Sequence, residues 1–358
     1  MWEAECLTLQ VWDGVLSRRP VSLRGVTAVV VALALLALVV WLAGPERTFT
    51  TLSRLRIWQA VVLVLTAFGV SIFTAFAWQR ILIGYGHRVR LWLLLRLTAL
   101  SFAVGWIVPS GFVAGIPVAA YFLRRRGVPF GCGLASFTIS RFFEITAYAL
   151  VLPLVFLTGL GGRPLMCALA VSVLASFAVV YLDLGFGWRL ARRGLARLGR
   201  RGPRFVRRVV AAASDFCATV AGFFRAPPRH IVLALAYSFA AIGIAFVRAL
   251  LTNDFLALGL TLPELSVMFS ITIFLMAVPF LPGAIGAYEG GIAGAFELLG
   301  RQRADGIAYA MTVHATELVV VASGVIVLAE FGGSLVKARR VVLRAAAAEE
   351  LRRRRAVR

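Results

Sequence analysis

The chain has 358 residues, of which 61% are hydrophobic and 15% charged, and its mean hydropathy is +0.89. Soluble domains are about 45–50% apolar and about 25% charged, so this composition excludes an ordinary soluble enzyme, a disordered chain and a disulfide scaffold. Lys and Arg number 38 against 16 Asp and Glu, a formal charge of +22. In so apolar a chain, this excess predicts basic loops on the cytoplasmic side of a membrane.

Eight apolar runs are long enough to cross the roughly 30 Å hydrocarbon core of a bilayer. In chain order these predicted spans are 26–43, 57–78, 91–108, 131–157, 165–188, 230–251, 263–281 and 304–331. The first span follows a short segment, 1–24, and no cleavage site comes after it, so we expect an uncleaved helix. The predicted fold class is therefore all-α, a polytopic helix bundle embedded in the membrane.

Two further apolar runs, 110–123 and 284–299, are too short to cross alone. Each follows a proline and is interrupted by glycine or proline. Non-helical backbone at membrane depth is tolerated only beside protein or a water-filled cavity, so we predict two re-entrant half-helices that line an internal cavity. Their expected structural hinges are Pro109, Gly115, Pro117, Pro282, Gly283 and Gly286.

Loop charge predicts the orientation of this bundle. Basic clusters follow the second span, the first short run and the fifth span, and a basic tail, 332–358, ends the chain. We therefore expect a multi-pass protein of the cell membrane with both termini in the cytoplasm. A basic amphipathic linker, 188–229, separates two transmembrane halves, 25–187 and 230–331. The linker and tail are predicted to contact anionic lipids of the cytoplasmic leaflet, with partner binding as the alternative role for the linker.

Other classes of partner and chemistry find little support. The basic residues stand in short clusters between apolar stretches, whereas a nucleic-acid-binding protein collects them on one polar face. The four cysteines form no C-x-x-C pair, and the three histidines lack the spacing of metal ligands. Because no P-loop, nucleophile elbow or paired-carboxylate loop is visible either, we expect no metal, no cofactor and no catalytic residue.

The two halves show a weak internal repeat. Shifting the sequence by 173 residues (282 − 109 = 173) places Pro109 on Pro282 and Glu144 on Glu317, and it superimposes the two short runs. The loop charges orient the first unit opposite to the second. This pattern predicts an inverted-topology repeat with a site near the bilayer midplane, between discontinuous helices.

Two pairs of ionisable side chains lie about ten residues inside apolar runs. They are Arg141 with Glu144, and His314 with Glu317. A spacing of three residues places both members of each pair on one helix face. Insertion of such groups costs roughly 2.5–3.5 kcal/mol each, so they mark either a substrate pathway or a self-neutralising pair that fixes helix packing.

A fifth ionisable side chain, Glu289, lies in the glycine-rich second short run. It has two interpretations of equal weight: contact with a ligand, or a cap on the free N–H groups of a half-helix. Arg96 and Arg248 lie nearer helix ends and are predicted to snorkel toward the lipid headgroups.

Three stretches resemble the flippase-like membrane family related to the transmembrane region of lysylphosphatidylglycerol synthetases. They are P-S-G-F-V-A-G-I-P-V-A-A-Y-F-L at 109–123, S-R-F-F-E at 140–144 and L-P-G-A-I-G-A-Y-E at 281–289. The resemblance extends over residues 25–331, without the soluble synthase domain of the fused relatives. The chain departs from the family pattern at Ile116 and Ala119, where an acid and an arginine are usual.

The resemblance implies a protein that moves an amphiphilic lipid or lipid-linked product between leaflets, and not an enzyme. A polar cavity between the short runs would take the headgroup. The alternative is an integral membrane enzyme or assembly factor that acts on lipid-linked intermediates of the cell envelope, and a scaffold role is a third possibility. The residues expected to bind substrate are Glu289, Glu317, Glu144, Arg141, His314 and Tyr121.

Overall fold

The computed structural model describes residue 41 and residues 45–108, 114–156, 215–216, 218–276 and 282–356. Within these ranges all regular structure is helical, so the all-α prediction is confirmed there. The segment 1–24, the predicted span 165–188 and Pro109 lie outside the described residues. So do all but one residue of the span 26–43 and most of the linker 188–229.

The helices follow one another in an order that matches the apolar runs. Six of the predicted spans and both short runs each fall on a helix. The helices are α1 (Pro45–Leu52), α2 (Ile57–Gly84), α3 (Leu91–Ile107), α4 (Gly115–Arg124), α5 (Phe130–Phe156), α6 (Pro228–Phe255), α7 (Leu262–Met276), α8 (Ala287–Leu298) and α9 (Arg303–Ala356), with a 3-10 turn (Pro282–Ala284) before α8.

Several of these helices have the length and composition of membrane spans. α2, α6 and the Arg303–Phe331 part of α9 are each long and apolar enough to cross a bilayer, and α3 is a shorter apolar helix. Large apolar side chains such as Leu65 on α2 and Val232 on α6 are exposed. An apolar exterior of this kind suits lipid as the surrounding solvent.

α2 and α6 pack against each other in opposite directions. Near the start of α2, the Trp58 ring lies 5.3 Å from the ring of Phe255, at the end of α6. Toward the other end of α2, Phe76 stacks at 5.3 Å on Tyr237, in the first half of α6. Both helices have 28 residues. Two helices of equal length thus form an antiparallel pair, with one helix from each half of the chain.

The helices α2–α5 and α6–α9 repeat one order of elements. In each set a long helix and a six-residue connection (85–90 or 256–261) lead to an apolar helix, then a short helix, then a long one. The two short helices end alike at Gly127 (φ 84°) and Gly300 (φ 75°), which are 173 residues apart (300 − 127). After both glycines, the next amide donates to the carbonyl four residues before the glycine, the hydrogen bond of a glycine helix cap.

Each short helix also packs closely on the long helix that follows it. A Cβ atom on Gly133 of α5 would lie 3.1 Å from the Cα atom of Ala120 on α4. A Cβ atom on Gly306 of α9 would lie 3.1 Å from the Cα atom of Ala293 on α8. Both pairs are again 173 residues apart (306 − 133 and 293 − 120), so glycine permits the same close helix contact in both halves.

α9 continues without a break through the predicted boundary between the second half and the basic tail at 331/332. It has 54 residues, and at 1.5 Å per residue it is roughly 80 Å long, well beyond the thickness of a bilayer core. The backbone of the tail is therefore the end of the same helix that carries His314 and Glu317.

Candidate functional site

A cavity of about 390 Å³ lies among the helices of both halves, and we call it the central cavity. Apolar side chains such as Phe102 and Phe269 form much of its wall, while tyrosine and threonine side chains supply polar groups. Four charged side chains also line it: Arg141, Glu144, Arg248 and Glu317. Charged groups inside an apolar bundle need partners, so their pairing determines what the cavity can bind.

The first ion pair comes from a single helix, α5. Arg141 Nη1 lies 2.6 Å from Glu144 Oε2, across a spacing of three residues, as the sequence predicted. The other carboxylate oxygen of the buried Glu144 accepts a hydrogen bond of 2.8 Å from Thr74 Oγ1 on α2. The Arg141 side chain is 33% exposed, and it contacts the cavity as well as its partner.

The second ion pair joins two helices. Arg248 Nη2 on α6 lies 3.1 Å from Glu317 Oε1 on α9, and the arginine side chain is only 12% exposed. The prediction that Arg248 snorkels is wrong, because its guanidinium turns inward to a buried carboxylate. Nothing in the local sequence indicates this contact, since the partner is 69 residues away. One feature of the sequence does point to a distant partner. A carboxylate inside an apolar run needs a cation, and the neighbour of Glu317 on the same helix face is a histidine, His314, and not an arginine.

Two polar atoms on the cavity wall have no hydrogen-bond partner in the described part of the chain. They are Glu317 Oε2 and Thr98 Oγ1, and both atoms are buried. A buried acceptor without a partner costs about 1–3 kcal/mol, more for a charged group. A ligand that carries hydrogen-bond donors would satisfy the Glu317 carboxylate in this position.

Glu289 and His314 form a separate buried pair beside the cavity. Glu289 Oε2 accepts a hydrogen bond of 2.7 Å from the Gly286 amide at the start of α8, which is the cap interpretation. Its other oxygen lies 2.6 Å from His314 Nδ1. His314 thus pairs with Glu289, where the sequence suggested Glu317. The ring of Tyr288 lies 4.4 Å from the ring of His314. Of these three residues, Tyr288 is the one that lines the central cavity.

The remaining predicted residues lie at the edges of the site. Tyr121 is half-buried under the guanidinium of Arg125, at 5.5 Å, and is not among the described residues that line the cavity. Arg96, near the start of α3, pairs with Glu330 and lies 4.7 Å over the ring of Phe331, where the apolar part of α9 ends.

The predicted hinge residues take up the starts of the two short helices. Gly115 begins α4, where a Cβ atom would clash with the Ser101 carbonyl oxygen of α3. Pro117 lies in the first turn, where its missing N–H group has no helical partner to lose. Before α8, Pro282 opens the 3-10 turn, and Gly283 (φ 58°) and Gly286 (φ 83°) adopt backbone conformations that favour glycine.

Buried ion pairs on the wall of a cavity, among helices long and apolar enough to span a bilayer, define an integral membrane protein with an internal polar site. Residues 27–324, well over half of the chain, match the family described as lysylphosphatidylglycerol synthase TM region. The chain belongs to this family, and the resemblance seen in its motifs is confirmed.

A curated relative is also similar. It is a UPF0104 membrane protein of Methanothermobacter thermautotrophicus, 27% identical over 214 residues, which is 54% of this chain. The match covers 60% of the relative's own length. No solved structure matches the chain.

Proposed function

We propose that this protein translocates an amphiphilic lipid or lipid-linked product between the leaflets of the cell membrane, with the headgroup in the central cavity and the acyl chains in lipid. One observation carries the proposal: the pairs Arg141–Glu144 and Arg248–Glu317 face the same cavity, one from each half of the chain. Two cations and two anions on one wall present groups that can replace water around a charged or zwitterionic headgroup.

The volume of the central cavity and an unsatisfied hydrogen-bond acceptor beside it support this proposal. Its volume of about 390 Å³ is within the range of roughly 300–1,000 Å³ that small-ligand sites occupy. Glu317 lines the cavity, and its buried Oε2 atom lacks a hydrogen-bond partner among the described residues, so a small turn of this side chain would present an acceptor to a headgroup with donors. In this proposal Glu289 and His314 hold the start of α8 in place and act on the headgroup only through Tyr288.

We further propose that α2–α5 and α6–α9 form an inverted repeat in a bundle of eight spans and two re-entrant helices, with both termini in the cytoplasm. The antiparallel contact between α2 and α6, the first helices of the two sets, supports the inverted repeat. A two-fold axis that places one of two antiparallel helices on the other is perpendicular to both helices. For helices that cross a membrane, this axis lies in the membrane plane. Inverted repeats of this kind let a central site open alternately to the two sides.

The test is lipid flipping in liposomes. The purified chain is reconstituted with fluorescent anionic, cationic, zwitterionic and glycolipid probes, and dithionite reports the rate at which each probe reaches the outer leaflet. A variant with Arg248→Gln and Glu317→Gln removes one cavity ion pair at constant net charge. We expect its flipping rate to fall roughly tenfold or more, equivalent to about 1.4 kcal/mol in the barrier.

The matched control removes an ion pair outside the cavity, with Arg303→Gln and Glu297→Gln, whose side chains are exposed and 2.6 Å apart. It should flip at the rate of the unmodified protein. The proposal fails if no probe flips faster with the protein than without it, or if both variants lose activity equally. A covalently altered lipid that disappears with the cavity variant would establish the enzyme alternative instead.

A further inference from the structure

A second cavity, of about 440 Å³, lies outside the central one and shares no lining residue with it. It sits where the start of α3, the turn between α4 and α5, and α9 come together. We call it the basic cleft, after the arginines that line it. Its principal lining residues are Arg88, Arg90, Arg96, Arg126, Trp92 and Phe331.

The basic cleft carries an uncompensated positive charge. Arg96 pairs with Glu330, which neutralises one of the four guanidinium groups. Arg88, Arg90 and Arg126 are exposed, and none of their side chains forms an ion pair or hydrogen bond with another residue in the described ranges. Three like charges around one concave surface raise the local concentration of anions.

The backbone adds to this positive potential. α3 begins at Leu91, and its N-cap residue, Arg90, provides no side-chain cap for the first N–H groups of the helix. The start of a 17-residue helix with free N–H groups carries a partial positive charge and binds phosphate and carboxylate groups well. The uncapped helix start and the arginines therefore attract the same class of ligand.

Apolar groups at the basic cleft distinguish a lipid from a soluble anion. Trp92, one residue into α3, is 70% exposed, and Phe331 contributes a second ring to the wall. A tryptophan exposed beside arginines at the end of an apolar helix is typical of the membrane–water interface. A soluble phosphate would use the arginines and leave the rings without a partner.

The cleft lies at a basic end of the bundle, which the proposed topology places on the cytoplasmic side. Gly84, at the end of α2, packs against the ring of Phe223, which places Arg225 and Arg229 at the same end as Arg88. Basic pockets between helices on the cytoplasmic side are known to bind lipid phosphates.

We propose that the basic cleft binds the phosphate group of an anionic phospholipid from the cytoplasmic leaflet. Arg88, Arg90 and Arg126 bind the phosphate together with the α3 N–H groups, and Trp92 contacts the glycerol and upper acyl region. The binding is a resident contact and does not depend on translocation through the central cavity, so it stands or falls separately from the proposed function.

Tryptophan quenching by brominated lipids tests the site in the full chain. The protein is placed in nanodiscs that contain brominated phosphatidylglycerol or brominated phosphatidylcholine in about 0.15 M salt, where the Debye length is about 8 Å. Because the chain has eight tryptophans, subtracting the signal of a Trp92→Phe variant isolates quenching at the cleft. We expect phosphatidylglycerol to be preferred there roughly tenfold over phosphatidylcholine.

Two matched double variants locate the effect. Arg88→Gln with Arg126→Gln should reduce the preference to about twofold or less, because it removes two of the three guanidinium groups of the cleft that have no carboxylate partner. Arg225→Gln with Arg229→Gln removes the same charge from the same end of the bundle, in the linker and outside the cleft. Any lipid contact of the linker is not read by the Trp92 difference signal, so the preference measured at the cleft should stay unchanged. All four side chains are exposed, and gel filtration of both variants checks that they fold.

Three results would overturn the proposal. One is an equal preference for phosphatidylglycerol in the unmodified protein and the cleft variant. Another is an equal loss in both double variants, which would mean diffuse surface charge. The third is displacement of phosphatidylglycerol by millimolar glycerol phosphate, which would assign the cleft to soluble phosphates.

Discussion

The two halves of the chain place equivalent residues in different contacts. Arg141 and His314 are 173 residues apart (314 − 141) and occupy the same position on α5 and α9. His314 binds Glu289 and lies behind Tyr288, whereas Arg141 binds Glu144 and faces the central cavity. The residue equivalent to Glu289 in the first half is the cavity-lining Ile116 (289 − 173).

The two arrangements follow the residues at these positions, an isoleucine and an arginine in the first half and a glutamate and a histidine in the second. Glu289 pairs with His314 on α9 beside the cavity, while Ile116 leaves Arg141 with Glu144 as its partner. Glu317, whose neighbour three residues earlier is already engaged, receives Arg248 from α6 instead. Each cavity acid therefore has one arginine, although the arginines come from unrelated positions. The two halves share one order of helices, but each half forms its cavity ion pair from residues at different positions.

The largest effect in this comparison should come from Arg248→Gln. Its removal leaves the buried Glu317 without a cation, and such a change typically costs about 3–5 kcal/mol in the free energy of unfolding. Arg141→Gln should cost clearly less, because Arg141 is 33% exposed and Glu144 keeps its hydrogen bond from Thr74. Denaturant unfolding in detergent measures both.

Adding Glu317→Gln to Arg248→Gln should recover most of the lost stability, since no unpaired charge then remains. An Arg141 variant that is less stable than the Arg248 variant would contradict the assignment of the tighter pair to the second half.

The next effect concerns the starts of the two short helices. Gly115→Ala places a Cβ atom against the Ser101 carbonyl oxygen and should lower the free energy of unfolding by about 2 kcal/mol through overpacking. The control is Gly294→Ala in α8, where no described atom lies within 4 Å of the added Cβ, and it should be neutral or stabilising. Thermal unfolding measures both variants. If the two alanines prove equally harmless, the close contact between α4 and α3 is not as described.

Ile116→Glu should make the first half resemble the second. The introduced carboxylate would draw Arg141 away from Glu144 and add a negative charge to the cavity wall, so we expect flipping of anionic probes to slow about fivefold, or about 1 kcal/mol. Ile116→Gln, with a similar shape and no charge, is the matched control in the same liposome assay. Equal rates in the two variants would show that position 116 acts through its volume and not through its charge.

The smallest effect is expected from Arg303→Gln with Glu297→Gln. This pair at the start of α9 is exposed to solvent on both sides, and surface pairs of this kind contribute little to stability. Neither the unfolding midpoint nor the flipping rate should change measurably. A clear loss in either quantity would mean that the end of α8 takes part in the motion of the second half.

The sequence predicts the elements of this fold better than their contacts. Hydropathy locates most ends of the helices that carry six of the predicted spans and both short runs to within about six residues, because a helix that faces lipid must be apolar over a fixed length. The repeat is also detectable, since helix-end glycines such as Gly127 and Gly300 recur at one offset. The continuation of α9 into a charged tail is not predictable from hydropathy, because that segment lies beyond the apolar run.

For the site, the same-helix pair Arg141–Glu144 is predictable from spacing, and the caution about Glu289 as a cap is justified by its contact with Gly286. The partnership of Arg248 with Glu317 is not predictable, because it depends on how α6 packs on α9. Tyr121 belongs to a matching motif, yet its ring packs against Arg125 and it is not among the described residues that line the cavity.

The four charged side chains that the described part of the chain places on the central cavity sum to zero formal charge, two arginines against two glutamates. An elementary charge that crosses the membrane field gains or loses about 2.3 kcal/mol per 100 mV. If the protein translocates lipid as proposed, such a neutral site does no net electrical work when it opens to one side and then to the other. The net charge moved across the membrane in each cycle then equals the charge of the transported lipid. An inside-negative potential would then drive an anionic headgroup outward without any coupled ion, while a zwitterionic one would follow its concentration gradient alone.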